Sequence, residues 1–466
     1  MLPAGGIVLY AIFLSQSLAV PTDAPQLPIA PQSHTQDYEF DALLHLPGIS
    51  PYFDAIGSGL NHDAPLNCEV TAASYLVRHA AIYANDADYY KYIEPFLQKL
   101  DSTYSSSSGK RRRGWSGPLS FFSKWENPID NPKKQLEKIT PHGIKDSKKV
   151  GKHLLSRYPA LVPTIKHIYT DKKSRTKDTA AAFIEVFPQD VEIIELRPGH
   201  PSFQHQNPHK ACKAFSKEPG DTEQREFLSH YTSPIISRLQ PFAPVPLSET
   251  DIMGLQQLCG YESAIRGKKS DICDVFTDDE WMAYEYAWDL KYSHMVGHGN
   301  PLSPYLGFPW LNTTATLFDK FHAPHHGDEM EGDEVPDDDG QRFFLAFTHR
   351  EVPPFIATAL GLFNSSNSYN EEWPTNRINW SRSWKMAELI PFLGHVGIEK
   401  LTCDRMGVGG EREYVRVIAN TAPRPIPACQ DGPGASCSFD AFVDLVRRGM
   451  EIYGDFDGVC GNDKEE

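Results

Sequence analysis

Val70-Thr71-Ala72-Ala73-Ser74-Tyr75-Leu76-Val77-Arg78-His79 is the stretch on which the reading of this chain turns. Residues 70–77 are rich in apolar and small side chains, the pattern of a buried strand, and the run stops at two chargeable residues. Arg78 and His79 therefore fall at the carboxyl end of a strand, where open α/β sheets gather their ligands. A histidine at a strand end is more often packed and hydrogen-bonded than reactive. The weight of the pair depends on what else reaches that edge.

Working outward, further strands read from residues 168–170, 191–196, 343–348 and 414–419. Amphipathic helices over 145–157 and 178–186 alternate with them, which predicts a layered α/β sheet with helices on both faces. Residues 227–239, interrupted by Pro234, and 278–292 carry helical patterns without strands between them, which predicts an inserted helical cap. Two more chargeable segments fall at strand ends. Ser174-Arg175-Thr176 follows the strand at 168–170, and His349-Arg350-Glu351 closes the apolar strand at 343–348.

Those residue types suit hydrolysis of a phosphate monoester without metal or other cofactor. A phosphate dianion needs several fixed cationic donors, and the planar fork of arginine fits it. A histidine can attack phosphorus and carry the phosphoryl group, splitting one displacement into two. A carboxylic acid held protonated can supply the leaving alkoxide with its proton.

At 466 residues the chain can bury a substantial core, as one large domain with a cap or two closely packed domains. A formal net charge of −16 excludes a nucleic-acid partner as the default and leaves anion binding to a local basic pocket. The apolar run 5–14 is too short to span a bilayer, and Ser17-Leu18-Ala19 has small residues at the spacing of a cleavage site. Residues 1–19 read as a signal peptide and 20–65, with Pro21, Pro25, Pro28 and Pro31, as an extended lead-in to the domain at 66–466. The helical cap is placed at 85–140 and 205–325. Eight cysteines and sequons at Asn312, Asn364 and Asn379 fit secretion to the exterior or the cell wall, with no membrane association after cleavage. No paired Cys-x-x-Cys spacing points to zinc, so disulfides are favoured, in a connectivity that spacing does not choose. The basic run Lys110-Arg111-Arg112-Arg113 reads as a solvated loop, with cleavage by a secretory protease as the alternative. The acidic, histidine-bearing stretch 322–340 reads as a solvated loop as well, favoured over metal binding because no regular helical histidine spacing sets up a site.

Read together, the segments resemble the fungal acid phosphatase and phytase branch of the histidine phosphatase superfamily, from about Asn67 to Cys460. The resemblance is carried by Cys68 ahead of Arg78-His79, by Thr140-Pro141-His142-Gly143, by Cys273-Asp274-Val275-Phe276-Thr277 with Glu280-Trp281, Tyr284 and Tyr286, by Gly297-His298-Gly299-Asn300-Pro301, and by Ala359-Leu360-Gly361-Leu362. It implies a phosphoglycerate-mutase-like core and a small-molecule phosphate ester as partner. It further implies His79 as nucleophile, with Arg78, Arg175 and His349 binding phosphate. The disulfides it implies are Cys68 with Cys403, Cys212 with Cys460, Cys259 with Cys273, and Cys429 with Cys437.

The chain departs from the family signature Arg-His-Gly-x-Arg-x-Pro, reading Arg78-His79-Ala80-Ala81-Ile82-Tyr83-Ala84. Ile82 stands where the family has a second phosphate-binding arginine, and Arg350 where it commonly has aspartate. In the branch that hydrolyses inositol polyphosphates the motif is His-Ala-Glu, and Glu351 holds that third position as the expected proton donor, with Arg350 as an auxiliary charge. The expectation is a secreted acid phosphomonoesterase acting through a phosphohistidine. The alternative is an inactive relative that binds an anionic ligand.

Overall fold

The computed structural model describes residues 40–105, 111–320, 340–364, 373–404 and 411–462. The signal-peptide reading, most of the lead-in's prolines and nearly all of the acidic stretch at 322–340 lie outside them. In chain order the strands among the described residues are β1 (Cys68–Arg78), β2 (Tyr104–Ser105), β3 (Arg111–Arg112), β4 (His167–Asp171), β5 (Glu192–Leu196), β6 (Phe343–Thr348), β7 (His395–Asp404), β8 (Glu411–Ala419), β9 (Ala422–Arg424) and β10 (Cys437–Ser438).

All but β2 and β3 form one mixed sheet of order β10-β8-β7-β1-β6-β4-β5, with β9 beside β8. The β1, β6, β4 and β5 half is parallel, while β7 runs antiparallel to β1 and β8 antiparallel to β7. Because β1, β6 and β4 are adjacent and parallel, their carboxyl ends lie along one edge, where Arg78, Thr348 and Asp171 end the strands.

The period of two explains the layers. Ala73, Tyr75 and Val77 of β1 and Phe343, Leu345 and Phe347 of β6 bury against Val150, Leu154 and Phe183 of the helices Pro141–Arg157 and Ser174–Ile184. Ala72 and Leu76 face the opposite way, into a second core shared with the helices Ser303–Asp319 and Val352–Ala359. That core runs on into the helical layer of Asp221–Leu239, Glu249–Arg266 and Asp278–Met295. Pro234 sits inside the first of these helices without ending it.

Four disulfides join Cys68 to Cys403, Cys212 to Cys460, Cys259 to Cys273, and Cys429 to Cys437. The basic run 110–113 departs from the solvated-loop reading at Arg112, which is buried. Its guanidinium donates to the Trp125 carbonyl at 2.5 Å, pairs with Asp101 at 3.2 Å and lies over the Tyr104 ring. Buried hydrogen-bond partners explain the difference. Lys110 lies outside the described residues.

Candidate active site

The ends of β1 and β6 are stitched together by the His79 amide, which donates to the Thr348 carbonyl at 3.0 Å. This sets His79 and His349 side by side, ring centroids 5.8 Å apart in an edge-to-face arrangement. The Ala80 amide donates to Thr179 Oγ1 at 3.0 Å, and that hydroxyl donates to the Arg175 carbonyl at 2.6 Å. The turn after β1 is thereby tied to the helix Ser174–Ile184, whose first turn carries Arg175. On the other side, Thr140 caps the helix Pro141–Arg157 by accepting from the Gly143 amide at 2.9 Å. A Cβ on Gly143 would stand 2.5 Å from the Ala81 carbonyl, so only glycine lets the two segments approach.

His79 is buried, and its Nδ1–H donates to the Ala80 carbonyl at 2.9 Å. Nε2 is left as the lone-pair nitrogen. Burial, with Arg175, Arg78 and His349 adding positive charge nearby, holds the ring well below the ordinary histidine range, so it is neutral.

Arg78 is also buried. Its two terminal nitrogens donate to the Ile390 carbonyl at 2.6 Å and the Gly48 carbonyl at 2.7 Å, and it stacks on Phe392 at 4.5 Å. Burial and the neighbouring Arg350 lower its pKa to about 10, which leaves it charged. Gly48 has φ +79°, and a Cβ there would meet Tyr292 Oη at 2.7 Å. Arg175 pairs with Glu137 through one terminal nitrogen and sets the other 3.3 Å from His349 Nδ1. The Nε atoms of both arginines are buried without partners. Unsatisfied donors on a buried cation are costly, and they fit an anion better than an empty edge.

Glu351 precedes the helix Val352–Ala359, at the favourable end of its dipole. Burial pushes its carboxyl up, but Lys217, His209, Arg350 and His349 outweigh it and hold the group well below the usual carboxylate range. Lys217 Nζ lies 2.5 Å from Glu351 Oε1. In the ligand-free site Glu351 is thus ionised, in contrast to the protonated acid expected from the sequence. Arg350 is drawn in from solvent toward Asp88 at 3.4 Å and Glu351 at 3.8 Å. Ile82 is buried in the core and bridges to Ile139, supplying no charge.

Three side chains at this edge escape the sequence reading: Asp171, Lys210 and Lys217. Lys210 Nζ lies 2.7 Å from Asp171 Oδ2 and 2.6 Å from His349 Nε2. Asp171 ends β4, and burial raises its carboxyl while His349 and Lys210 draw it far below the usual range. Lys210 comes two residues before Cys212, whose bond to Cys460 fixes that stretch of chain, yet no motif marks it. A cavity of about 550 Å³ is lined by Lys138, Lys173, Arg175, Lys217 and Arg350 with the acids Asp86 and Glu137; it meets the site through Arg175, Lys217 and Arg350, while His79, His349 and Glu351 do not line it.

The glycosylation candidates lie apart. Asn312 and Asn364 are exposed and Asn379 half-buried. Cys429, Asp431 and Cys437 cluster, but both thiols are spent in a disulfide.

The profile of the histidine phosphatase superfamily (branch 2) matches residues 69–420. An acid phosphatase of Komagataella pastoris is 26% identical over 455 residues, covering 92% of this chain and 89% of its own length. A phytase of Candida albicans is 25% identical, covering 97% and 92%. The crystal structure of the phytase from D. castellii superposes with a TM-score of 0.75 at 22% identity, over 96% of this chain and 93% of that one.

Proposed function

The chain belongs to the histidine phosphatase superfamily, branch 2, and on that premise we propose that it is a phosphoric monoester hydrolase of the acid phosphatase and phytase type that works through a phosphohistidine. One observation carries the reading. Neutral His79, with its free Nε2, stands at a sheet edge beside His349, which Arg175 reaches, with the Arg78 charge nearby and the Nε atoms of both arginines buried without partners. His79 Nε2 attacks phosphorus while the arginines and His349 hold the equatorial oxygens, and water then displaces the phosphoryl group from His79.

Glu351 is the proton donor in this scheme. The incoming phosphate dianion competes for the cations that keep the carboxyl ionised, and its own charge raises the carboxyl pKa, so the acid becomes protonated with substrate in place. The loss of an arginine at Ile82 is offset by Arg350, which brings another positive charge to the same edge. Of the residues assigned to the cap, 85–87, 136–138 and Lys217 line the cavity, and they set which phosphate ester enters.

Four disulfides and the sequons support secretion, and among the described residues no helix is long and apolar enough to cross a membrane. Turnover of p-nitrophenyl phosphate at acid pH tests the reading. Release of p-nitrophenol by the native protein and its loss in His79→Ala at matched folding are expected. A native protein inert toward a broad panel of phosphate esters, yet stabilised thermally by phosphate, would instead be the anion-binding relative.

A further inference from the structure

We propose that Lys210 is a positioning residue that sets which nitrogen of His349 carries the proton, and so makes His349 a donor to the substrate phosphoryl group. The functional consequence rests on the phosphatase reading, whereas the proton's place is a property of the resting protein.

An ammonium has three donors and no lone pair. Lys210 at 2.6 Å from His349 Nε2 and Arg175 at 3.3 Å from Nδ1 both have donors only, so a neutral ring can accept from just one of them; the shorter contact makes Nε2 the acceptor and places the ring proton on Nδ1. Nδ1 is the nitrogen beside Arg175, whose terminal nitrogen stands 3.3 Å away. With a proton on Nδ1, that N–H and the Arg175 N–H cannot bond to each other and converge instead on an acceptor between them. With Nδ1 bare, Arg175 would spend its donor on the ring, and the ring would offer nothing to a phosphoryl oxygen.

Asp171 is what makes the choice depend on Lys210. Its Oδ1 lies 3.3 Å from Nε2 and would accept a proton there, favouring the unproductive tautomer. Lys210 occupies Asp171 Oδ2 at 2.7 Å and reaches Nε2 more closely than Asp171 does. The charged and titratable groups around the ring are Asp171 from β4, Arg175 from the helix Ser174–Ile184, Lys210 and His209 from the turn Pro208–Ala211, His79 after β1, and neighbouring Glu351. Burial first, then the balance of these charges, brings His349 to about 4, so the ring is neutral over most of the acid range.

The test is a long-range nitrogen–proton correlation spectrum of the protein labelled with ¹⁵N-histidine, near neutral pH, with His349→Gln identifying the signal. The native protein is expected to show a protonated Nδ1 and a bare Nε2 on His349. Lys210→Met should move the proton to Nε2 and lower kcat about 10- to 100-fold with KM less affected, the loss of a donor used in the transition state. Lys210→Arg, which also has donors only, should keep the native tautomer and most of the activity. A native spectrum with the proton on Nε2, or an unchanged tautomer or kcat in a folded Lys210→Met, would overturn the proposal. A protein with the stated tautomers but no turnover would uphold the tautomer assignment and count against the phosphatase reading alone.

Discussion

Lys217 reaches from solvent to a carboxylate that is itself sealed from it. Its side chain is 57% exposed and that of Glu351 only 3%, so a cation at the surface makes the largest contribution to holding a buried acid ionised. The sign of its removal follows. Without the ammonium the carboxylate loses its nearest cation, its pKa rises, and the protonated form needed to supply a leaving group persists to higher pH. In Lys217→Met the descending limb of kcat/KM against pH should move upward by about one unit, because that profile reports the free enzyme. In the native protein the same limb should lie higher in kcat than in kcat/KM, since bound phosphate displaces the cations. Coincident limbs, or a downward shift in the variant, would remove Glu351 from the role of acid.

At the scale of elements, what the sequence disclosed and what it hid have physical causes. β1 and β6 were legible because they are apolar runs ending in charge, and those ends carry His79 and His349. β7 pairs with β1 along its length and was not read as a strand, because Glu399 and Lys400 stand in its middle. Both are buried. Glu399 accepts from Arg157 at 3.0 Å, from Arg416 at 2.6 Å and from the Tyr158 hydroxyl, and Lys400 pairs with Glu413 at 2.9 Å. The helix Glu249–Arg266 was missed for a related reason: it is buried nearly all round, with Gln256, Gln257 and Glu262 inside, and shows no polar face. Asp171, Lys210 and Lys217 were beyond reach because only tertiary packing aims them at the edge. Removing Glu399 leaves buried Arg416 and half-buried Arg157 without their carboxylate, so Glu399→Ala should cost about 3 kcal/mol, read as a lower denaturant midpoint at unchanged slope. A loss under about 1 kcal/mol would mean the cluster is solvated and not a buried lock.

For the whole molecule, the site and the fold pull in opposite directions with pH. His205 and His395 are lowered to about 4 and His209 to about 3, each by burial first, and His349 likewise to about 4. An unfolded histidine takes up a proton near 6.5 while these folded ones do not, so their stabilising contribution is complete above that value and is lost as pH falls toward the folded values. Asp171 and Glu351, held low in the folded state, add a further loss below the ordinary carboxylate range. Each buried histidine accounts for about 1 kcal/mol per pH unit across its window. The melting temperature should therefore fall between pH 7 and 4.5, and inorganic phosphate should recover part of the fall by binding the folded site. A flat profile would show that these histidines titrate as if exposed.

The central claim is that His79 carries the phosphoryl group. The native protein is mixed with a ³²P-labelled phosphate ester, quenched rapidly into alkaline denaturant, where a phosphohistidine survives, and digested to map the label. Label on the peptide containing His79, absent from His79→Ala at matched folding and chased by unlabelled substrate, is the predicted result. Turnover with no labelled protein on the millisecond scale, or label retained in His79→Ala, would contradict it.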